Sequence, residues 1–163
     1  MPTCKRVGLL YHPSLTDAPP LARDITNALE ERGVQVWRGT SGKEAALIDE
    51  VRAVDRFIIL GGDGTILHAA RMAAPHGVPI LGVNLGRLGF LAEMEPSEIM
   101  THVPRLCNGD YWLEPRTMLH AAHRRNGELI NEYDALNDVI LARGRVARVV
   151  RVRVAVDEAT ITT

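Results

Sequence analysis

Apolar residues in the first half of the chain alternate between two spacings. Short runs, "RVGLLY" (Arg6–Tyr11), "VQVW" (Val34–Trp37) and "RFIIL" (Arg56–Leu60), have the length and composition of strands. Between the first two, Leu21, Ile25, Ala28 and Leu29 recur at helical spacing, and Gly33 follows as a closing C-cap. Leu47, Val51 and Val54 mark a second helix. A third is predicted from about Thr65 to Ala74, ahead of a further strand in "VPILGVNLG". Phe57 to Leu60 is apolar at every position, as a central parallel strand covered on both faces must be. This strand–helix order predicts an α/β fold whose N-terminal parallel sheet is flanked by helices.

The pattern changes after about residue 95. In "PSEIMTHVPRLCNGD", Ile99, Val103 and Leu106 keep helical spacing, and Pro104 is expected to kink or end the helix. From Tyr111 onward the chain reads as antiparallel β. Asn126-Gly127 is a strong hairpin signal. "DVILAR" and "VVRVRVAV" are β-branched runs, the second alternating valine with arginine. About five short strands make a poor free-standing sheet. Either the β region packs on the α/β part or the β-rich domain is incomplete here.

Composition narrows the class. The chain has 163 residues, 46% hydrophobic and 24% charged, with a formal net charge of −1. That balance fits a globular protein and favours neither a nucleic-acid partner nor a membrane. Cys4 and Cys107 are too few for a disulfide framework or a cysteine-based zinc site, so a reduced, cytoplasmic setting is the simplest expectation. The apolar stretch of "MPTCKRVGLLYHP" is short for a secretory signal, and no run approaches the ~18 apolar residues of a membrane span. The six histidines show no metal-ligand spacing with acids or cysteines. Arginine outnumbers lysine 17 to 2 without pointing to a function.

Three constellations carry candidate chemistry. Gly61-Gly62-Asp63-Gly64-Thr65 follows the central strand, where open α/β sheets bind ligands. Its glycines allow positive φ and close approach of a ligand, and Thr65 is placed to cap the next helix, whose free N–H groups favour an anion. Asp63 would repel a phosphate, so its task is to hold Mg²⁺ or to take a proton from a hydroxyl. The alternative is a tight turn in which Asp63 only caps N–H groups. In "GVNLGRLGFLAE", Gly82, Gly86 and Gly89 loosen a strand end, and Asn84 and Phe90 offer an amide and an aromatic face to a nucleoside; equally, Phe90 is core. Asn137-Asp138 begins the "DVILAR" strand, able to bracket ribose hydroxyls or simply to form a turn. Arg143, Arg145, Arg148, Arg151 and Arg153 read as a solvated strand face rather than a nucleic-acid strip. "GTSGKEA" is no P-loop, since Trp37 stands in place of its first glycine and Glu44 in place of Ser or Thr, and no G-x-G-x-x-G follows the first strand.

Taken together, "GGDGT", "GVNLGRLGF" and an Asn-acid pair before "VILARG" resemble the NAD kinase family, in that family's order and over essentially the whole chain. The first motif is shared with phosphofructokinases and lipid kinases, whereas "NLGRLGF" is far more specific. The resemblance implies an N-terminal α/β nucleotide-binding domain over residues 1–95, a connecting helix over 96–110, and the first part of a β-rich NAD-binding domain over 111–163. It implies a kinase that phosphorylates the adenosine 2′-hydroxyl of NAD to give NADP, with ATP or polyphosphate as donor and Mg²⁺ or another divalent cation. Asp63 takes the catalytic place, activating the hydroxyl. Gly62, Gly64 and Thr65 lie with the phosphates, Phe90 flanks the nucleotide, and Asn137 and Asp138 bind NAD. The pair departs from the family's Asn-Glu by one methylene. The family also continues past the equivalent of Thr163 with a D-G-x…T-P-T-G-S-T-A-Y segment, so a truncated kinase is expected, and its exposed sheet edge predicts a homo-oligomer. A related kinase of a lipid or sugar and a catalytically incomplete nucleotide-binding fragment are the alternatives.

Overall fold

The computed structural model describes residues 4–42, 47–86, 89–142 and 151–162. Four parallel strands, β1 (Arg6–Tyr11), β2 (Gln35–Thr40), β3 (Arg56–Gly61) and β4 (Ile80–Asn84), form one sheet in the order β2-β1-β3-β4. Helices α1 (Ala18–Glu30), α2 (Ile48–Arg52) and α3 (Asp63–Ala73) connect them in turn, and α4 (Ile99–Asn108) follows the sheet. The predicted α/β alternation is therefore present.

Side-chain alternation explains the continuous apolar run in β3. Ile58 and Leu60 face a cluster with Val7, Leu9, Ile25, Leu29, Ile99 and Val103, beneath α1 and α4. Phe57 and Ile59 face a second cluster with Leu10, Val51, Ile66, Ala69 and Met72, beneath α2 and α3. Each strand residue is thus buried on one side or the other, and fully burying a large apolar side chain contributes about 1.5–3 kcal/mol. The chain leaves β1 toward β2 on one side and returns to β3 on the other. The strand order reverses between β1 and β3, so Tyr11 and Gly61 end at the topological switch point.

Several expected boundaries shift. The second strand begins at Gln35 and runs to Thr40, and the second helix covers only Ile48–Arg52, with Leu47 as its N-cap and Val54 buried just beyond it. Gly33 adopts φ 79° in the turn that closes α1, after a C-cap at Glu31. The third helix starts at Asp63 rather than Thr65. Helix α4 continues through Pro104 to Asn108 instead of ending there. Proline removes one helical hydrogen bond, but Ile99, Val103 and Cys107 on the buried stripe of α4 pack into the same cluster as α1 and hold the helix together.

The β-rich part contains two separate hairpins. Strands β5 (Leu119–Arg125) and β6 (Glu128–Ala135) pair across Asn126-Gly127, which have φ 51° and 85° as a primed turn requires. Strands β7 (Val154–Val156) and β8 (Ala159–Thr162) form the second. Four β-rich strands are therefore present among the described residues, against about five expected. Asp138–Ala142 form no strand, and Arg151–Arg153 precede β7 rather than lying within it. Arg151, Val152 and Arg153 are all exposed. Arg143, Arg145 and Arg148, together with Lys43 and Glu44, lie outside the described residues. No helix among the described residues is long and apolar enough to cross a membrane.

Candidate functional site

The site begins where β3 and β4 end. Both strands run into glycine turns, and those turns meet. Leu85 donates its N–H to the Gly61 carbonyl at 3.1 Å. Gly62 and Gly86 approach so closely that a Cβ on Gly86 would lie 3.4 Å from the Gly62 Cα. Gly86 is itself held by the Asn84 side chain, whose Oδ1 accepts its N–H at 3.2 Å. The chain then returns beside β4, where Asn84 donates to Met94 at 2.9 Å and Glu93 to Gly82 at 3.1 Å. The "NLGRLGF" segment is therefore anchored at both ends.

Asp63 fastens its far end, at Phe90 and Leu91. One carboxylate oxygen, Oδ2, accepts the Phe90 N–H at 3.0 Å, and the other, Oδ1, accepts the Leu91 N–H at 3.2 Å. Asp63 is also the first residue of α3, with Gly62 as N-cap, so its charge sits at the positive end of the helix dipole. Thr65 and Ile66 both return their N–H groups to the Gly62 carbonyl. The N–H groups of Asp63 and Gly64 are left without a helical acceptor, as at any helix start. A carboxylate has about four lone-pair positions, so two accepted bonds leave Asp63 able to accept a hydroxyl as well.

The remaining candidates divide. Phe90 is 96% exposed beside the Asp63 carboxylate, so it is not core. Thr65 is not the helix cap; it is buried, and its side chain fills the space that a Cβ on Gly61 would need, 2.5 Å from its Oγ1. Gly62 faces Gly86, whereas a Cβ on Gly64 would meet nothing within 4 Å among the described residues. None of Gly61, Gly62, Gly64, Gly82 or Gly86 has a positive φ, so these glycines do not supply left-handed turns. Asn137 and Asp138 are exposed in the bend after β6, and no hydrogen bond among the described residues joins them to the Asp63 loop. Their neighbour Leu136 lines a concavity of about 670 Å³ with Ile66, Gly82 and Leu91, which brings this segment alongside α3.

A second concavity of about 470 Å³, lined by Cys4, Arg56, Ile80, Met94, His102 and Tyr111, opens at the opposite end of the sheet. Ligands of open α/β sheets bind at the carboxyl ends of the strands, which selects the Asp63 loop. Cys4 and Cys107 are free and buried; burial pushes the Cys4 thiol up to about 11 and raises Cys107 as well. Among the described residues no three His, Cys, Asp or Glu side chains are grouped to hold a metal ion.

Comparison with known proteins places the chain among relatives. The family model for the ATP-NAD kinase N-terminal domain matches residues 15–111. The NAD kinase of Chloroflexus aggregans is 38% identical over 159 residues, covering 98% of this chain and 58% of the relative. That of Heliobacterium modesticaldum is 40% identical over 170 residues, covering 100% and 59%. That of Natranaerobius thermophilus is 45% identical over 156 residues, covering 91% and 54%. The chain thus spans little more than half the length of these relatives. Among solved structures, the yeast NADH kinase complexed with NADH superposes with a TM-score of 0.63 at 20% identity, over 84% of this chain and 48% of that one, which shows a shared fold.

Proposed function

The chain belongs to the NAD kinase family, and from that membership we propose that it phosphorylates the adenosine 2′-hydroxyl of NAD to give NADP, with ATP or polyphosphate as donor. The observation that carries the reading is the clasp of Asp63 on Phe90 and Leu91. It gathers an acid, an exposed aromatic ring and a helix N-terminus at the switch point of the sheet.

In this reading the adenosine part of NAD stacks on Phe90, and its 2′-hydroxyl donates to a free lone pair of Asp63. Phosphoryl transfer depends mainly on positioning and on stabilising charge at the transferred group. Asp63 orients the hydroxyl and receives its proton as the oxygen bonds to phosphorus and the donor's bridging oxygen leaves with the bonding pair. Gly62 and Gly64 let phosphates approach the backbone, and the open N–H groups of Asp63 and Gly64 stabilise the phosphoryl oxygens. The divalent cation belongs to the donor phosphates, as part of the substrate. Asn137 and Asp138 complete the NAD site from the β-rich domain over residues 111–163, with residues 1–95 as nucleotide-binding domain and 96–110 between them. The reaction is assigned to the cytoplasm, in a homo-oligomer without nucleic-acid or membrane partners; exposed Leu119, Ile130 and Tyr133 on the β5–β6 hairpin support self-association.

The test is NADP formation, read by an NADP-specific dehydrogenase. Asp63→Asn is expected to abolish it with the fold retained, and near-normal turnover refutes the mechanism. The double hydrogen bond of Asp63 also favours a second reading, a nucleotide-binding module in which Asp63 only shapes the loop. Calorimetry separates the two: NAD binding without turnover supports the module, and no binding refutes both for this chain.

A further inference from the structure

We infer that Gly89 is the positioning residue for Asp63: its missing side chain is the space in which the Asp63 carboxylate sits. A Cβ on Gly89 would lie 2.2 Å from Oδ1, 2.6 Å from Cγ and 2.8 Å from Oδ2 of Asp63. All three are far inside van der Waals contact, so any larger residue displaces the carboxylate. The requirement is steric, and its object is a single side chain.

The direction of displacement matters. Asp63 bridges the successive N–H groups of Phe90 and Leu91, immediately after Gly89. Two donors in sequence fix the plane of the carboxylate, and Gly89 lets the loop close onto that plane. Pushing the carboxylate off the loop breaks both bonds. It also turns the remaining lone pairs away from the place a ligand hydroxyl would take. Gly89 touches no substrate in this account and acts through Asp63 alone.

The kinetic part of the test rests on the kinase reading above; the structural part does not. Amide hydrogen exchange of the full chain reports the two N–H groups directly. Gly89→Ala is expected to remove the protection of Phe90 and Leu91 to the level seen in Asp63→Gly, while β3 amides keep theirs. Retained protection overturns the inference. Where Gly89→Ala alone does not fold, the double variant with Asp63→Gly, in which the obstructing carboxylate is gone, is expected to fold and melt with the Asp63→Gly single variant; failure of the double variant to fold also overturns it. In the NADP assay, Gly89→Ala is expected to lower kcat at least tenfold with KM for NAD changed less than threefold, and to add nothing in an Asp63→Asn background. A wild-type kcat in Gly89→Ala overturns the inference. Lost protection in Gly89→Ala beside an inactive wild-type chain upholds the positioning role and refutes the kinase reading.

Discussion

Asp63→Asn carries a stability cost that separates its two roles. The carboxylate accepts from Phe90 at 3.0 Å and from Leu91 at 3.2 Å. An amide keeps one acceptor oxygen and turns an NH₂ toward the other N–H, so one of the two bonds is lost. A hydrogen bond to a charged group contributes about 1.5–3 kcal/mol, and the half-buried setting places this one at the lower end. Removing a negative charge from the first position of α3 costs about 0.3–1 kcal/mol more. The expected loss is about 2 kcal/mol. Urea unfolding followed by far-UV circular dichroism measures it, and the native spectrum should be unchanged because neither apolar cluster includes Asp63. A loss under about 0.5 kcal/mol, the range of ordinary surface substitutions, refutes the clasp.

Three further outcomes are expected. Gly82→Ala places a Cβ 2.7 Å from the Ile66 Cδ1 and 3.1 Å from the Ala92 Cα, and should destabilise the chain by about 1–3 kcal/mol in the same urea assay; a neutral result contradicts the close packing of β4 on α3. His120 faces Asp134 at 2.7 Å and Glu132 at 3.4 Å across the hairpin, and the Asp134 hydrogen bond, then that of Glu132, raises its pKa above the ordinary 6.5. A raised histidine stabilises the hairpin fully below that ordinary value and loses the effect as pH rises through the raised one. An NMR titration of His120 should show a midpoint above 6.5 that falls in Asp134→Asn, and an unmoved midpoint refutes the pairing. Phe90→Ala should weaken NAD binding by the about 1–3 kcal/mol of a base–aromatic stack, at least about fivefold in Kd by calorimetry, with melting unchanged because the ring is exposed.

The sheet was legible because burial on two faces leaves a mark in composition. Phe57 to Leu60 has no polar position to spare, and the two clusters that receive alternate residues explain why. The hairpin was equally legible, since Asn126 and Gly127 are the residues that tolerate positive φ in succession. The apolar, partly β-branched run misled over Asp138–Ala142. β propensity expresses fit to a neighbouring strand, and these residues have none, with Ile140 79% and Leu141 81% exposed. Of the two outcomes expected at Pro104, ending the helix did not occur, because packing against α1 outweighs a local penalty that sequence alone shows. At the site, residue types and order were readable, whereas the clasp was not. Its donors are backbone N–H groups 27 and 28 positions after Asp63, and a backbone donor has no signature in a sequence.

The glycines of the two motifs therefore form a packing code rather than a dihedral one. Gly61 makes room for Thr65, Gly82 for Ile66 and Ala92, and Gly89 for Asp63. Each absent side chain is matched to a specific neighbour from the other motif or from the helix between them. That pairing makes the loops depend on one another, since filling any one of these spaces moves a group held by another. Gly64 differs: among the described residues nothing occupies the place of its Cβ, and its φ does not demand glycine. In the kinase reading proposed above, the packed glycines keep the shape of the loop, and the open face of Gly64 beside the N-terminus of α3 is where a phosphate would approach.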